Sequence, residues 1–595
     1  MRKRNAVAVV VLACCIAAHG RPADDIADRL GLLPTPREIT LTGDRIDLSG
    51  WQIVTPSGSP LCRVGAGEIN LRIEQLGGKP LPIVDSSQPN KARIIVGPSS
   101  NAEVRAMGKG LGVVLTQADP GEQGYVIRCG RIAGAPVVLA AGSDEQGALY
   151  ACITLRRMIQ TVDGRSWLLA GSVRDWPDYK VRCNGLLNLL PLRSSRPESR
   201  TRAVAALKRE IDFYLRHKIN YVQTRGHWTQ PTPDERTRAI RQQMVEVSRY
   251  ARSRGIRTRV IGNTEIGKYL TAEQRKSAVV RKAGTSYAWS ALDAHRKHAR
   301  DWAEYLRDAQ VGLFALHPVD SGGYLDPETW SRRSPQCKAM YGGDRGRASL
   351  EQFKLYFDII REQCPDIELE AVSYPYHYQF AMPEFIAQAQ GMGADMPSMG
   401  WVRGVDDPVT AGRVQKQLMD YHRYLGNGLR RDVTITFREA KREVFLACGE
   451  LYQGHPVTIW IYPDRNKGWR GTFCPQVRMA KSFWRPGMRD HYFVASSYAR
   501  GNDARVQRLA QQEYLWRVDQ PDASGEFTAG SRWYETEGRK VTAFQRERLI
   551  PRICRILYGA AAPPFQDLVA ANVSLNYVLE PGPVASERGE NMATS

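Results

Sequence analysis

The hydrophobic positions of the chain follow two different rhythms. Up to about residue 172, short apolar runs alternate with turn residues. Trp51-Gln52-Ile53-Val54 predicts a strand, and Arg93-Ile94-Ile95-Val96-Gly97 a buried strand that stops at glycine. Gly124-Tyr125-Val126-Ile127-Arg128 alternates, and Pro136-Val137-Val138-Leu139-Ala140 follows at hairpin distance. Gly142-Ser143-Asp144-Glu145-Gln146-Gly147 then leads into a helix from Ala148 to Ile159, with Leu149, Ile153, Leu155 and Ile159 near one face. Residues 30–175 therefore read as a compact α+β unit.

Trp176-Pro177-Asp178-Tyr179 marks a boundary, after which strands and helices alternate. Strands are expected at Val181–Leu190, Ile219–Gln223, Gly255–Ile261, Val311–Leu316, Ile367–Val372, Asp395–Met399, Val433–Phe437 and Val457–Ile461. Amphipathic helices are expected at Ala203–Lys218, Glu235–Arg254, His295–Ala309 and Leu350–Gln363. Strands linked by helices pair in parallel, and eight of them suit a closed (β/α)8 barrel of the TIM type over residues 180–475. A doubly wound open sheet is the alternative, but the phosphate loops that accompany it are absent. Residues 476–595 read as a mainly helical region, with helices at Ala504–Trp516 and Arg539–Ile550, the latter stopping at Pro551. The last residues, from Pro581, read as a frayed tail.

Residues 1–20 read as a signal peptide, with basic Arg2-Lys3-Arg4, an apolar run from Ala6 to Ala18 and a small-residue site at Ala18-His19-Gly20. The apolar run is too short to span a membrane. Export to the periplasm or the medium follows, with Val11-Leu12-Ala13-Cys14 offering a lipoprotein anchor at Cys14 as a second reading. Of eleven cysteines, Cys14 and Cys15 fall in this segment. The other nine are widely spaced, an odd number without a CxxC, which argues against a zinc ribbon or a thioredoxin-like centre. HExxH and GxSxG are also missing, so neither a zinc protease nor a serine hydrolase is indicated. His295 and His298 lie in a basic helix that disfavours a divalent ion. No metal and no cofactor are expected. The 595 residues carry 83 Lys+Arg against 62 Asp+Glu, a net charge of +21. The cations are spread along the chain without a nucleic-acid motif, so a basic surface or attraction to anionic glycans explains them better than nucleic acid.

Barrel active sites form where strands end. The expected strand ends lead to Arg225-Gly226-His227-Trp228, Asn263-Thr264-Glu265, His317-Pro318-Val319-Asp320, Tyr374-Pro375-Tyr376-His377-Tyr378, Trp401-Val402-Arg403 with Asp406-Asp407, Arg438-Glu439 and Tyr462-Pro463-Asp464. Aromatic rings suit the apolar faces of sugars, and carboxylates accept their hydroxyls. Asp320 directly follows a buried strand, and Gly322-Gly323 permits close approach of a ligand. It is the first candidate for an acid or a charge-stabilising group. His227, Trp228, His317, Tyr376, His377, Trp401 and Tyr462 are candidate sugar contacts, joined by Trp460, which equally suits barrel filling. Glu370 lies within its strand and needs a partner there, either as catalytic support or in an ion pair with a barrel arginine. Glu439, Glu370 and Glu265 are candidates for a second carboxylate. Asp406-Asp407 equally suits a helix cap.

Several segments resemble a known family. Leu33-Pro34-Thr35-Pro36-Arg37, Gly124-Tyr125-Val126-Ile127, the turn Gly142–Gly147 closing at Thr154-Leu155, and Asp175-Trp176-Pro177-Asp178-Tyr179-Lys180-Val181-Arg182 resemble, in order, motifs of the β-hexosaminidase N-terminal domain and its junction with the barrel. Lys218-Ile219-Asn220, Tyr250-Ala251-Arg252-Ser253-Arg254-Gly255-Ile256 and the late Glu513-Tyr514-Leu515-Trp516 are similar to later motifs of these enzymes. The resemblance implies a small α+β domain ahead of a catalytic barrel, as in glycoside hydrolase families 20 and 84. It implies that Arg182 binds sugar hydroxyls, although Cys183 stands where glycine is expected, and that Tyr462 contacts an acetamide. The chain departs from the pattern after the fourth strand. The family carries two adjacent carboxylates there, and this chain reads Val319-Asp320-Ser321. A second group from another strand, with Glu439 foremost, is then required. An exported glycoside hydrolase acting on a glycan of N-acetylhexosamine, uronic acid or a related sugar is the expected function. A non-catalytic glycan-binding relative is the alternative.

Overall fold

The computed structural model describes residues 23–56, 59–86, 90–162, 164–225, 233–280, 286–317, 332–372, 420–438, 452, 454–461, 490–493, 502–519, 542–564 and 566. The chain divides into two units, Met1–Pro177 and Asp178–Ser595.

In the first unit a sheet is built from β1 (Glu38–Asp47), β2 (Gln52–Val54), β3 (Ile83–Val84), β4 (Arg93–Pro98), β5 (Tyr125–Ile132), β6 (Ala135–Gly142), β7 (Ile159–Val162) and β8 (Arg165–Asp175). Its order is β1-β8-β5-β6-β4-β2-β3, with β7 beside β8. β4 runs parallel to both β2 and β6, and all six of its residues are buried. That placement explains its unbroken apolar run. β5 and β6 form the expected antiparallel hairpin. Ala133 and Gly134 turn it, both with positive φ (49° and 83°), as a turn matching strand twist requires.

The family-like motifs of this unit meet one another. Asp144 caps the helix Glu145–Met158, accepting hydrogen bonds from Gly147 N (2.7 Å) and Gln123 N (2.8 Å). A Cβ on Gly147 would lie 2.1 Å from the Gly124 carbonyl oxygen, and one on Gly142 2.0 Å from Ala148 N. The glycine spacing is thus a steric requirement. Asp175 is fully buried and accepts from the Tyr125 hydroxyl (2.8 Å), which also meets Thr154 Oγ1 (2.6 Å). Arg37 donates its backbone N–H to Asp175 (3.1 Å) and its Nε to the Trp176 carbonyl (3.1 Å), with its guanidinium 4.8 Å from the Trp176 ring centre. Pro-x-Pro-Arg, Gly-Tyr-x-Ile, Thr-Leu and Asp-Trp-Pro are therefore parts of one buried joint.

The second unit holds β9 (Gly185–Asn188), β10 (Tyr221–Arg225), β11 (Arg257–Gly262), a short hairpin of β12 (Val279–Val280) and β13 (Ser286–Tyr287), then β14 (Leu313–Leu316), β15 (Glu368–Val372), β16 (Thr434–Arg438), β17 (Val457–Ile461) and β18 (Asp490–Phe493). Leaving out the hairpin, eight strands form a sheet in chain order, β9-β10-β11-β14-β15-β16-β17-β18, every pair parallel. Helices Pro197–Arg216, Glu235–Ser253, Leu292–Asp308 and Arg345–Gln363 link its first five strands. This is the alternation that the sequence predicts. The sheet is not closed: among the described residues β9 and β18 each pair with one neighbour.

The strand order differs from expectation. β15 pairs directly with β16, Glu370 opposite Thr434, with no strand between them; residues 395–399, where a strand is expected, lie outside the described residues. The eighth strand is instead Asp490–Phe493, beyond the expected end of the barrel at 475. Its four residues, Asp-His-Tyr-Phe, carry no apolar run to betray it. Near the C-terminus, Pro551 does not end a helix. A π-helical turn at Gln545–Leu549 runs into the α-helix Ile550–Tyr558, with proline in its first turn where no N–H is needed. The seven described cysteines form no disulfide. Among the described residues, no helix is long and apolar enough to cross a membrane.

His295 and His298, in the basic helix, are both buried. The Nδ1 atoms of both meet the Tyr356 hydroxyl (3.2 and 2.9 Å), and Gln352 Nε2 reaches His295 (3.1 Å). His422 is likewise buried, its Nδ1 2.7 Å from the Tyr452 hydroxyl. Burial lowers their pKa values from 6.5 to about 4 for His295 and about 3 for His298 and His422, with the charge of His295 adding to the shift at His298. Above pH 6.5 these rings are neutral in both the folded and the unfolded chain and cost nothing. As pH falls from 6.5 toward 4, the unfolded chain takes up protons that the fold refuses, so stability falls by about 1.4 kcal/mol per pH unit for each ring and levels off near pH 3. The urea midpoint of the second unit should drop across this window, and His422→Gln should shed about a third of the histidine-dependent slope. Identical slopes in the two proteins would refute the assignment.

Candidate functional site at the carboxyl edge of the parallel sheet

One face of the parallel sheet is polar where an apolar core is usual. Cross-strand register aligns Gln223 of β10 with Arg259 of β11, and Glu370 of β15 with Thr434 of β16. Arg259 is fully buried and grips Glu370 with two donors, Nε to Oε2 (2.9 Å) and Nη2 to Oε1 (2.7 Å). Its Nη1 donates to Gln223 Oε1 (3.0 Å), and the Thr436 hydroxyl donates to Glu370. Toward the amino ends of the strands, Arg257 Nη1 donates to Glu368 (2.7 Å) and to the Tyr221 hydroxyl (3.0 Å), which donates to the same carboxylate (3.1 Å). Val181, Cys183, Tyr221, Leu313, Ala315, Val372 and Ile261 pack beside these charges. Residues from strands that are not neighbours meet in that cluster, so this face is the concave one. Glu370 is thus in the ion pair with a barrel arginine that its position within the strand suggests. Burial pushes the Cys183 thiol up to about 12, against the opposing charge of Arg259. It is an inert packing group where glycine is expected.

The amino edge of the sheet is occupied by scaffold. Arg182 precedes β9 and is fully buried. It donates to the carbonyl oxygens of Tyr179 (2.6 Å), Lys180 (3.3 Å) and Lys218 (3.0 Å from Nη2, 3.3 Å from Nε). Its guanidinium lies 4.9 Å from the ring centre of Trp516, which also carries Lys218 Nζ at 4.5 Å. These carbonyl contacts hold Arg182 at the edge opposite the strand ends. Glu513-Tyr514-Leu515-Trp516 belongs to the same closure. The Leu515 and Trp516 carbonyls accept from Tyr179 N (3.2 Å) and Asp178 N (3.0 Å), and Tyr514 accepts from Gln545 (3.0 Å). Glu513 faces Arg552 at 3.9 Å, both fully buried. Sequence reasoning missed this joint. Its one signal was that the motifs around 182, 218 and 516 all resemble the same family.

At the carboxyl edge, His317 follows β14 directly. It is buried, and its backbone N–H donates to the Gly262 carbonyl (2.8 Å) at the end of β11. The ends of β11 and β14 are thereby locked together, and Asp320 follows three residues later, outside the described residues. Beyond β11, Asn263 accepts from Glu265 N (3.2 Å), Thr264 is buried and Glu265 is exposed. Of the other candidates, Glu439, His227, Trp228, Tyr376, His377, Trp401 and Tyr462 lie outside the described residues, as do Tyr374, Tyr378, Asp406 and Asp407. The backbone nevertheless fixes where two of them begin. Glu439 is the first residue after β16, and Tyr462 the first after β17. Register sets Arg438 opposite Trp460, and Trp460 opposite Tyr492.

No protein-family model and no curated protein matches the chain. Solved structures do. The chitobiase of Flavobacterium johnsoniae is similar at a TM-score of 0.54 and 10% identity, over 92% of this chain and 73% of its own. The GH20 exo-β-N-acetylglucosaminidase of Vibrio harveyi, in complex with N-acetylglucosamine, is similar at 0.53 and 12%, over 91% and 78%. The protein CpGH84B is similar at 0.53 and 12%, over 90% and 75%. The fold is that of the hexosaminidase-like glycoside hydrolases.

The buried pair is testable. Glu370→Gln leaves the Arg259 charge buried without its counter-ion and should cost about 3–5 kcal/mol, read as a shift in urea unfolding. The double variant Arg259→Met/Glu370→Met should recover most of that loss. A single variant within ~0.5 kcal/mol of wild type would show the pair to be unimportant to folding.

Proposed function

We propose that the chain is an exported glycoside hydrolase acting on a glycan that contains N-acetylhexosamine, uronic acid or a related sugar. The observation that carries this reading is the likeness of nearly the whole chain to hexosaminidase structures, with Asp320 four residues past a strand end that is locked in place through His317. In this reading the eight parallel strands belong to a barrel, and the substrate lies across their carboxyl ends.

Asp320, protonated, donates its proton to the glycosidic oxygen as the bond from that oxygen to the anomeric carbon breaks. Water adds to the anomeric carbon and gives up its proton to a second carboxylate, yielding a hemiacetal and an alcohol. Three glutamates compete for that second role. Glu370 is removed from the contest, because Arg259 and Thr436 already hold its oxygens. Glu439, first beyond β16, and Glu265, exposed beyond β11, remain, and Glu439 is the better placed, directly after a strand of the concave face. A carboxylate separation of roughly 5–5.5 Å would give retention through a covalent intermediate, and roughly 6.5–9.5 Å inversion. His227, Trp228, His317, Tyr376, His377, Trp401 and Tyr462 would line the sugar subsites.

One observation favours a second reading, a glycan-binding relative without catalysis. Where the resembling family has two adjacent carboxylates, this chain has Val319-Asp320-Ser321. A panel of aryl glycosides (N-acetylglucosaminide, N-acetylgalactosaminide, glucuronide and glucoside) separates the readings. Wild type should turn over at least one member, and Asp320→Asn should lower kcat by ~10²–10⁴. Glu439→Gln should lower it comparably. Absence of turnover on every member, with glycan binding intact in wild type and Asp320→Asn alike, would favour the binding relative.

A further inference from the structure

We propose that the rim beyond β9 and β10 is an anion-binding recess that takes the carboxylate or sulfate groups of an acidic glycan. The substrate class is then a charged polysaccharide, a deepening that rests on the glycan reading above. In a parallel sheet each crossover helix starts from the carboxyl edge, so the neighbouring strands β9 and β10 deliver two helix starts to one place. The first is reached through a tight turn at Leu190–Arg193 and opens the helix Pro197–Arg216; the second opens the helix Glu235–Ser253.

Arginines crowd these starts. Residues 193–202 and 234–238 contain six, Arg193, Arg196, Arg200, Arg202, Arg236 and Arg238, against three carboxylates, Glu198, Asp234 and Glu235. Two of them, Arg200 and Arg236, close on one stretch of backbone. Arg236 donates to the Arg193 carbonyl (2.9 Å), joining the two helix starts, and Arg200 donates to the carbonyls of Ser194 (3.1 Å) and Ser195 (3.4 Å). Arg238 is held by the Pro233 carbonyl (2.7 Å). Among the described residues, none of Arg196, Arg200, Arg202, Arg236 and Arg238 forms a salt bridge, and the buried Nε of Arg200 has no acceptor. Of the three carboxylates, Asp234 is engaged in capping, accepting from Thr237 N (2.7 Å).

A second, independent feature points the same way. The helix Pro197–Arg216 has no side-chain cap, because its N-cap residue is Arg196, which has no acceptor to offer. The backbone N–H groups of its first turn, and the positive end of a twenty-residue helix, therefore open among the arginines. Guanidinium groups pinned by neutral carbonyls, around an uncapped helix start, match an oxyanion in both charge and donor geometry. Arg196, Arg202, Arg236 and Arg238 are exposed, so a ligand has access. The position beside the strand ends favours a glycan crossing the proposed site over a nucleic acid bound elsewhere on the basic surface.

The test is binding by the full chain, measured by calorimetry. The probes are a heparin-derived oligosaccharide, an oligogalacturonate, a neutral chitin oligosaccharide and a duplex DNA of matched charge. The triple variant Arg196→Gln/Arg202→Gln/Arg238→Gln should raise Kd for one or both acidic glycans by ~10-fold or more and leave the thermal transition in place. A control removing three exposed charges from the first unit, Arg45→Gln/Lys79→Gln/Lys91→Gln, should change Kd by less than ~2-fold. Unchanged affinity in the rim variant, equal affinity for the neutral oligosaccharide, or tighter binding of the DNA would overturn the proposal. Failure of the hydrolase reading is seen separately, as acidic glycan bound through the rim but never cleaved.

Discussion

The pairing of Arg259 with Glu370 constrains everything around it. Both groups are out of water in the concave face of the sheet, where an isolated charge would cost several kcal/mol. The two-pronged grip is geometrically demanding, since planar guanidinium and carboxylate must meet edge to edge. Gln223 and Thr436 complete it, so four strands are set in register by one polar network. A slip of one residue in any of them would turn its contributor to the other face. Apolar filling alone tolerates more variation than this. Glu370 is on the concave face, and its oxygens are already bonded to Arg259 and Thr436.

A second set of ties holds the opposite edge of the sheet. There Arg182, Lys218, Asn220 and Trp516 are tied to one another and to backbone carbonyls, with Asn220 accepting from Arg182 N (2.9 Å) and donating to the Lys180 carbonyl (2.7 Å). Glu210 extends the tie, accepting from Arg508 (2.7 Å) and Arg505 (3.0 Å) of the helix Asn502–Trp516. The segments that resemble hexosaminidases map onto this joint and onto the Asp175 joint of the first unit. They report scaffold. That is why the fold matches at 10–12% identity while the residues after β14 depart from the family pattern.

What the sequence disclosed follows the same division. Long amphipathic helices and apolar strands were legible because burial on one face imposes a period, as in Glu235–Ser253 and Arg93–Pro98. The hairpin of β5 and β6 was legible from its alternation. β18 was not, because four mixed residues carry no period. The carbonyl partners of Arg182 were hidden for a different reason. An arginine beside a strand looks the same in sequence whether it faces a ligand or a ring of carbonyls, and only the partners Tyr179, Lys218 and Trp516 decide it.

The arginines beyond β9 differ from the other cations of this chain in how they are held. Arg254 is fixed by Asp212 (2.9 Å) and Arg361 by Asp432 (2.8 Å), and in each case the carboxylate cancels the field it anchors. A carbonyl oxygen anchors without cancelling, since it is a dipole and carries no net charge. Holding Arg200, Arg236 and Arg238 by carbonyls therefore orders the side chains in advance; Asp234 offsets part of the charge of Arg236 and Arg238, and none of the three is in a salt bridge among the described residues. Side-chain ordering is a large part of what binding normally costs, and here folding has already met it. Mutual repulsion of such groups disfavours the fold unless an anion arrives, so a cluster of this kind is better explained by a ligand than by stability. The overall charge of +21 does not carry that inference; the way these particular guanidinium groups are tethered does.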